Sequence, residues 1–534
     1  MSRYEYKPFH YEIAPELSGK TTAPCPVAIV GAGPVGLSAA IDLALHGVRT
    51  IVLDDNDVVS IGSRAICWSK RTLEIFDRLG VGERMVSKGV TWKVGRLFHG
   101  DREVYSFDLL QQAGHKMPAF INLQQYHVEQ YLVERCGDFP DLIDLRWKNR
   151  VTGIEQGDGA VSLKVSTPDG DYKLQADFVL ACDGARSPVR SMLGLSFDGT
   201  QFDERFLITD VEMKADFPSE RWFWFEPPFH SGQSALLHKQ PDNIYRIDLQ
   251  LGPEADAEEE SRPERVVPRI KAMMGDRAFE LDWVSVYSFQ CARLERFVHG
   301  RIVFAGDSAH VVSPFGARGG NGGIQDIDNL CWKLAQIVRQ QAPIDLLETY
   351  NMERVEGADE NLTNSARATS FMTPKSAMER RFRQAVLKLA GEVEFARALV
   401  NSGRLSLPCS YTCVADKDEP RHSWPDTARS GAPAQDAPLG DDWLLSRTGT
   451  GFCLLFVGRP VPDPQELPDS VTTLEVEATD IARQRYLGNE TGAVYLLRPD
   501  QHIVARWLQY SKIAVVEAME AALALNQENR NGTN

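Results

Sequence analysis

The sequence predicts an α/β protein: a nucleotide-type domain of alternating strands and helices, an inserted and mostly antiparallel β-sheet, a helical segment, and a small C-terminal α/β domain. Three observations carry that expectation. "VAIVGAGPVGLSAAIDLALHGVRTIVLDD", Val27 to Asp55, reads strand, glycine turn, helix, strand, the start of a parallel sheet. From about Phe197 to Phe289 the pattern becomes aromatic-rich and alternates with period two, interrupted by "GPEADAEEESRPERV", which reads as an acidic loop. Residues 408–442 are rich in Pro, Asp and Ser and read as a linker or extended arm before a separate tail.

The elements follow in order. Val27 to Val30 is a short apolar strand, and Pro34 opens a helix to His46, where its fixed φ suits the first turn. Gly47 turns the chain into the strand Thr50 to Leu53, and "KRTLEIFDRLGV" is an amphipathic helix closed by Gly80. Residues Trp92 to Ile121 alternate as strands do, "LQQYHVEQYLVERC" returns to helix, and "VSLKVS", "DYKLQADFVLACDG" and "VRSMLGL" give two strands and a short helix. Ile324 to about Leu405 is chiefly helical. In the tail "GFCLLFVG", "TTLEVEA" and the hairpin-like "AVYLLRPDQHIVARW" precede a last helix, Ser511 to Leu525, with Ser511 as its N-cap. The expected division is an arm at 1–24, a discontinuous nucleotide domain at 25–196 and 290–345, the inserted sheet at 197–289, the helical segment at 346–407, the linker at 408–442 and the tail domain at 443–534.

With 534 residues, 43% hydrophobic and 25% charged, the chain has material for several ordinary cores. A net charge of -16 repels nucleic acids and anionic lipid, and no stretch reads as a membrane span or a signal peptide. The nine cysteines lack CxxC or zinc spacing, so no metal site is expected and a reducing, cytoplasmic setting is.

Three motifs carry chemistry. Gly31, Gly33 and Gly36 follow a strand and open a helix: Gly31 allows the tight turn, Gly33 lets backbone approach a pyrophosphate, and Gly36 allows close packing. Asp54 ends the next strand, where a carboxylate meets an adenosine ribose and disfavours a 2'-phosphate. FAD and NAD share this half, so the motif alone does not choose between them. In "FVLACDGARSPVR" Asp183 and Gly184 end an apolar strand, with Asp183 or Ser187 able to cap the helix that holds Arg190; in "GRIVFAGDSAHVVSP" Gly306 and Asp307 repeat the arrangement. Gly316 to Gly323 then holds five glycines in eight residues and runs into a helix. Two strand-end acids after the first motif suggest one long cofactor touched from several strand termini.

Together these residues resemble the fingerprints of single-component FAD-dependent aromatic hydroxylases: Gly31-x-Gly33-Pro34-x-Gly36, then Asp183-Gly184-x-x-Ser187-x-x-Arg190, then Gly306-Asp307 followed by Pro314, Gly316, Gly319, Gly320 and Asn321. "GSRAICWSKRTLEIFDRLG", with Arg64, and Gln125 extend the resemblance across most of residues 25 to 400. The tail is similar to the thioredoxin-like C-terminal domain of the phenol hydroxylase and 3-(3-hydroxyphenyl)propionate hydroxylase branch and, lacking CxxC, would be structural. The resemblance implies a Rossmann-like FAD-binding domain with non-covalent FAD, an inserted substrate-binding sheet, NAD(P)H and O2 as co-substrates, and hydroxylation of a phenolic ring through a C4a-hydroperoxyflavin. It implies that Asp307 contacts the ribityl or pyrophosphate part of FAD, that Asp183 and Arg190 line the cleft near the pyrophosphate and nicotinamide entry, and that Arg64 and Gln125 touch the flavin or its ribityl chain. Pro314 would line the substrate side. The second glycine loop would wrap the isoalloxazine end of the same FAD, its helix N-terminus stabilising charge on the reduced ring.

The branch often carries a polar base two positions after the flavin-contacting arginine; here that position is Ile66. The base is therefore unassigned, with Arg246, Tyr245 and His238 as candidates from the inserted sheet. "RWFWFEPP" matches the skeleton of the halogenase W-x-W-x-I-P motif, but aromatic strand packing explains it. The alternative activity is a tailoring oxygenase, an epoxidase or Baeyer-Villiger type acting on a polyketide-like substrate. A homodimer is the oligomer to look for.

Overall fold

The computed structural model describes residues 4–18, 25–62, 64–400, 405, 407–412, 424–468 and 471–525. Parts of the expected arm ahead of Cys25 and of the expected linker, including Cys413, lie outside that set, at residues 1–3, 19–24 and 413–423.

Five parallel strands form the first sheet, in the order Ile302–Phe304, Gly170–Ala181, Cys25–Val30, Thr50–Leu53 and Ile143–Arg146. The strands Arg150–Gln156, Val161–Thr167 and Val298–His299 add antiparallel edges. These strands read as continuous apolar runs because both faces are covered. The helix Pro34–Leu45 has no polar stripe either, with every residue from Gly36 to Ala44 buried, as expected of a helix lodged between a sheet and a second helix. That second helix is Gly319–Val338, the one entered by the glycine-rich loop.

The second sheet has eight strands, ordered His310–Val311, Phe279–Arg293, Asp198–Met213, Ile244–Gln250, Ser234–Lys239, Arg221–Phe225, Val94–His99 and Arg102–Asp108. It is antiparallel except where Arg221–Phe225 runs parallel to Val94–His99. Two of its strands thus come from a stretch the sequence places in the nucleotide domain, and a hydrogen-bonded partner that distant leaves no local mark. Period-two alternation gives the sheet two different faces. On one, Leu237, Tyr245, Ile247 and Leu249 pack under Val266, Ile270 and Met274 of the helix Pro263–Met274. The acidic stretch read as a loop is therefore partly helical: Asp256 caps Ala257–Glu260, its Oδ1 accepting from Glu259 N at 2.8 Å, and Pro263 starts the next helix. Its solvent-side charges hid three apolar residues at helical spacing.

The other face turns toward the first sheet and is capped at one end by Leu346–Met372 and Ala377–Glu392, where Met372, Val386 and Leu387 meet Phe206, Phe223 and Phe225.

The tail holds a four-stranded sheet ordered Thr472–Val476, Cys453–Val457, Ala493–Leu497 and Ile503–Trp507, with Ala493–Leu497 antiparallel to its neighbours. Ser511 caps the last helix as expected, accepting from Ala514 N at 3.4 Å. This unit is plugged into the rest through buried charges at its hairpin tip. Arg498 donates to Glu353 at 2.6 and 3.1 Å and to Asp500 at 3.0 and 2.7 Å, while Lys333 donates to Glu353 at 2.9 Å. Burial opposes ionisation of Glu353, but Arg498 and Lys333 overcome it and hold its carboxyl down at about 2. Trp332, on the same helix as Lys333, joins the tail's own apolar cluster.

Candidate functional site

Backbone hydrogen bonds set four strand ends side by side. Gly31 N donates to Leu53 O at 2.8 Å, Cys182 N to Val30 O at 2.8 Å and Ala305 N to Ala181 O at 3.1 Å. The three motifs therefore converge at the carboxyl ends of adjacent parallel strands, the place where open α/β sheets bind ligands.

The glycines there have separable reasons. Gly31 sits at φ +104°, and a Cβ on it would stand 2.5 Å from Cys182 O. A Cβ on Gly36 would stand 1.9 Å from Gly31 O, so the helix can approach the turn only without one. Gly33 has nothing within 4 Å of that position and borders open space; it is the N-cap of the helix that Pro34 begins. Amides at a helix start facing an open groove fit a pyrophosphate. Asp54 is fixed by Ala32 N, which donates to its Oδ2 at 2.6 Å, and by Asn56 N, which donates to its Oδ1 at 2.8 Å. Burial raises its pKa while those amides oppose the rise.

The second glycine loop touches the first. Val35 of the Pro34 helix lies between Gly306 and Gly323, whose added Cβ atoms would meet its Cγ2 at 2.9 and 2.7 Å. Asp307 is exposed yet ringed by protein atoms, which pushes its carboxyl upward, opposed by the charges of His310 and Arg64. Beneath it, Asp326 accepts from Gly306 N at 2.8 Å and pairs with His310 at 2.7 Å and Arg354 at 2.6 Å, which fixes the turn from behind. Sequence reasoning missed this support because its members are scattered from 306 to 354.

Several residues expected at the cofactor have support roles within the protein. Asn321 accepts from Ser69 N at 2.9 Å and Ser69 Oγ at 3.1 Å, and donates to Cys67 O at 2.8 Å and Ala317 O at 2.6 Å, so its side chain ties the Arg64 segment to the Gly319 helix. Gln125 accepts from Ala65 N at 3.1 Å and donates to Glu129 at 2.8 Å, placing Arg64, which is exposed. Gly319 and Gly320 open the helix, Gly320 packing on Ala65 and Trp68 at 3.4 Å from an added Cβ. Asp183 caps Val189 N at 2.9 Å and Ser187 caps Arg190 N at 2.9 Å, so both local roles are filled; Asp183 Oδ1 remains buried with no protein partner. Arg190 donates to Ser308 O at 3.1 Å and stacks on Phe197, joining two strand-end motifs. Pro314 is exposed beside Phe315, which packs on Phe206 and Phe289.

The three base candidates separate. Arg246 is buried in a two-pronged ion pair with Asp210, at 2.8 and 2.7 Å, and its Nη1 donates to Arg64 O at 3.4 Å. It positions the flavin-side segment and cannot accept a proton at neutral pH. Tyr245 faces the opposite side of the sheet, its hydroxyl donating to Ala215 O at 2.7 Å, and is removed from the groove by strand alternation. His238 does face the groove: its Nδ1 is buried without a partner and its Nε2 lies 4.0 Å from Cys67 Sγ. Burial, with Arg221 and Arg246 nearby, pushes it well below 6.5, so it is neutral. Two residues not nominated from sequence share this face, Arg221 and Asp248.

The family described as an FAD binding domain matches residues 24–365. The fit is physical as well: glycine turns that admit a phosphate chain, a ribose acid, and a second loop closing on the first through Val35.

The chain belongs to this FAD-binding family.

The FAD-binding protein is 28% identical over 382 residues to a para-nitrophenol 4-monooxygenase of Pseudomonas sp. strain WBC-3, covering 68% of this chain and 91% of that one. It is 30% identical over 393 residues to a 3-(3-hydroxy-phenyl)propionate/3-hydroxycinnamic acid hydroxylase of Burkholderia cenocepacia, covering 72% and 71%. Its fold is shared with a flavin-dependent monooxygenase solved with FAD and substrate, at a TM-score of 0.80 and 22% identity, covering 94% of this chain and 100% of that one. Its recognition as an FAD-dependent aromatic hydroxylase follows. Among the described residues no helix is long and apolar enough to cross a membrane, and no cluster of His, Cys, Asp and Glu is arranged to hold a metal.

Proposed function

We propose that the protein hydroxylates the ring of a small phenolic substrate, using NAD(P)H and dioxygen. The observation that carries this is the composition of the sheet face that meets the Arg64 segment: an apolar row of Phe223, Leu236 and Ile208 with Asp248 set among them, beside a polar row of Arg221, His238, Arg246 and Asp210. A flat aromatic ring with one oxygen substituent suits such a wall. Bound FAD would supply electron transfer from the nicotinamide and oxygen activation.

The chain's own residues do the rest. The amides at the start of the Gly319 helix would offer positive dipole to the reduced ring, and the Arg64 charge favours the ionised form of Asp307. Ile66, buried beside Arg64, lends no proton and keeps water from that side. The tail, with its third strand antiparallel to the rest and no CxxC, fits a thioredoxin-like unit kept for support. A cytoplasmic setting is supported by cysteines that are all unpaired among the described residues.

The test is a purified yellow protein and a panel of phenols with and without carboxylate side chains. Expected is NAD(P)H oxidation stimulated by at least one phenol, with hydroxylated product exceeding hydrogen peroxide. No stimulation by any phenol removes this assignment.

A further inference from the structure

The polar edge of the sheet has unmet chemistry. Arg221 makes no hydrogen bond or ion pair to another described residue, although it is largely buried and its neighbours Cys67 and His238 are neutral. Asp248, one strand beyond His238 and on the same face, has its Oδ1 buried with no partner. The neighbouring ion pair shows what satisfaction looks like: Arg246 and Asp210 bind each other with two short contacts, and Asp210 also accepts from Gln240 Nε2 at 3.0 Å. A cation and a carboxylate that face one groove without meeting each other are arranged for something between them.

We propose that Asp248 takes the proton of the phenolic substrate and that Arg221 holds the phenolate oxygen so formed. This rests on the phenol-hydroxylating function proposed above. The phenol O–H bond breaks, its proton forms a new bond to an Asp248 carboxylate oxygen, and the electron pair stays on the phenolate oxygen beside the Arg221 guanidinium. Charge is conserved within the pocket: one anion is exchanged for another, and Arg221 remains the counter-ion. A phenolate ring is richer in electrons than a phenol and is the better target for an electrophilic oxygen. His238, neutral beside them, is a hydrogen-bonding neighbour and not the acceptor.

Asp248 has the affinity this step needs. Burial raises its carboxyl to about 7, against the pull of Arg246 and with a further push from Asp210, while Arg221 lowers it. The charged and titratable groups that face it are those three with Cys67, whose thiol burial pushes up to about 12, and His238. Only Asp248 is left to change charge near neutrality, so kcat/KM should fall as pH drops below about 7 and Asp248 takes up a solvent proton before substrate arrives.

The experiment uses the oxidised FAD-bound protein and a nitrophenol whose phenolate is coloured. In the wild type the bound nitrophenol should ionise at a pH at least one unit below that of the free compound. Asp248→Asn should keep that shift, which the Arg221 charge sets, but lower kcat about 100-fold with KM within about threefold and flatten the acid limb of the pH profile; Asp248→Glu should restore part of the rate and of the acid limb. Arg221→Met should weaken binding of the phenolate more than that of the neutral phenol, with flavin content unchanged. A wild-type rate and acid limb in Asp248→Asn, an ionisation shift that survives in Arg221→Met, or no binding of nitrophenol by the wild type, overturns the assignment. Failure of the wild type to hydroxylate any phenol in the panel strikes the proposed function instead, so the two failures are distinct.

Discussion

The strand-end groove and the sheet face opposite it are built in different ways. The groove is made of backbone: turns at Gly31 and Gly306, a helix start at Gly33, another at Gly319, with Val35 wedged between the two loops. The sheet face is made of side chains, Arg221, His238, Arg246 and Asp248, brought together from three strands. Backbone recognition tolerates no added atom, whereas side-chain recognition tolerates changes of volume but not of charge. A cofactor common to many enzymes suits the first kind of site, and a substrate particular to one suits the second.

The comparison can be broken most severely at Gly36. An alanine there puts a Cβ 1.9 Å from Gly31 O, so the turn and the helix must separate. Gly36→Ala should lose at least about 100-fold in flavin affinity, about 3 kcal/mol, read as a colourless or insoluble product; a yellow protein of normal flavin content would contradict the packing described.

Charge, not volume, is the lever on the other face. Arg246→Met keeps the length of the side chain but strands the buried Asp210 carboxylate, and should cost about 3–5 kcal/mol of stability, measured as a lowered urea midpoint with flavin still bound. A midpoint within error of the wild type would mean the pair is not as dry as its geometry indicates.

The gentlest test lies where the groove meets the Arg64 segment. At Gly320 an added Cβ only touches Ala65 and Trp68 at 3.4 Å, but the branches of a valine must push that segment aside. Gly320→Val should weaken flavin about tenfold, near 1.4 kcal/mol, by equilibrium dialysis. Unchanged affinity would show that the second loop yields where the first does not.

How legible each region was follows from the same contrast. Gly31, Gly33, Gly36 and Asp54 lie within one strand–helix–strand unit, and the steric demand on each glycine is local, so the motif could be read directly. Asp307 and Gly306 were legible by the same logic. Asn321 and Gln125 were expected near the cofactor, and their hydrogen bonds run to Ser69, Cys67 and Ala65, partners no local pattern names. The acidic stretch at 252–266 misled because its exposed charges lead into a helix whose buried residues, Val266, Ile270 and Met274, begin only at its last position.

The sequence by itself determined the α/β class, the glycine turns, the dinucleotide half-site, the helix cap at Ser511, and a resemblance strong enough to predict FAD. These depend on spacing along the chain and on what a missing Cβ permits. Only the tertiary structure decided which face of the inserted sheet meets the groove, that Arg246 is spent in an ion pair, that strands from 94–108 complete the second sheet, and that Arg221 and Asp248 confront the groove unpaired. Those facts depend on strand register, since a shift by one residue exchanges the two faces of a sheet, and register is set by partners far away in sequence.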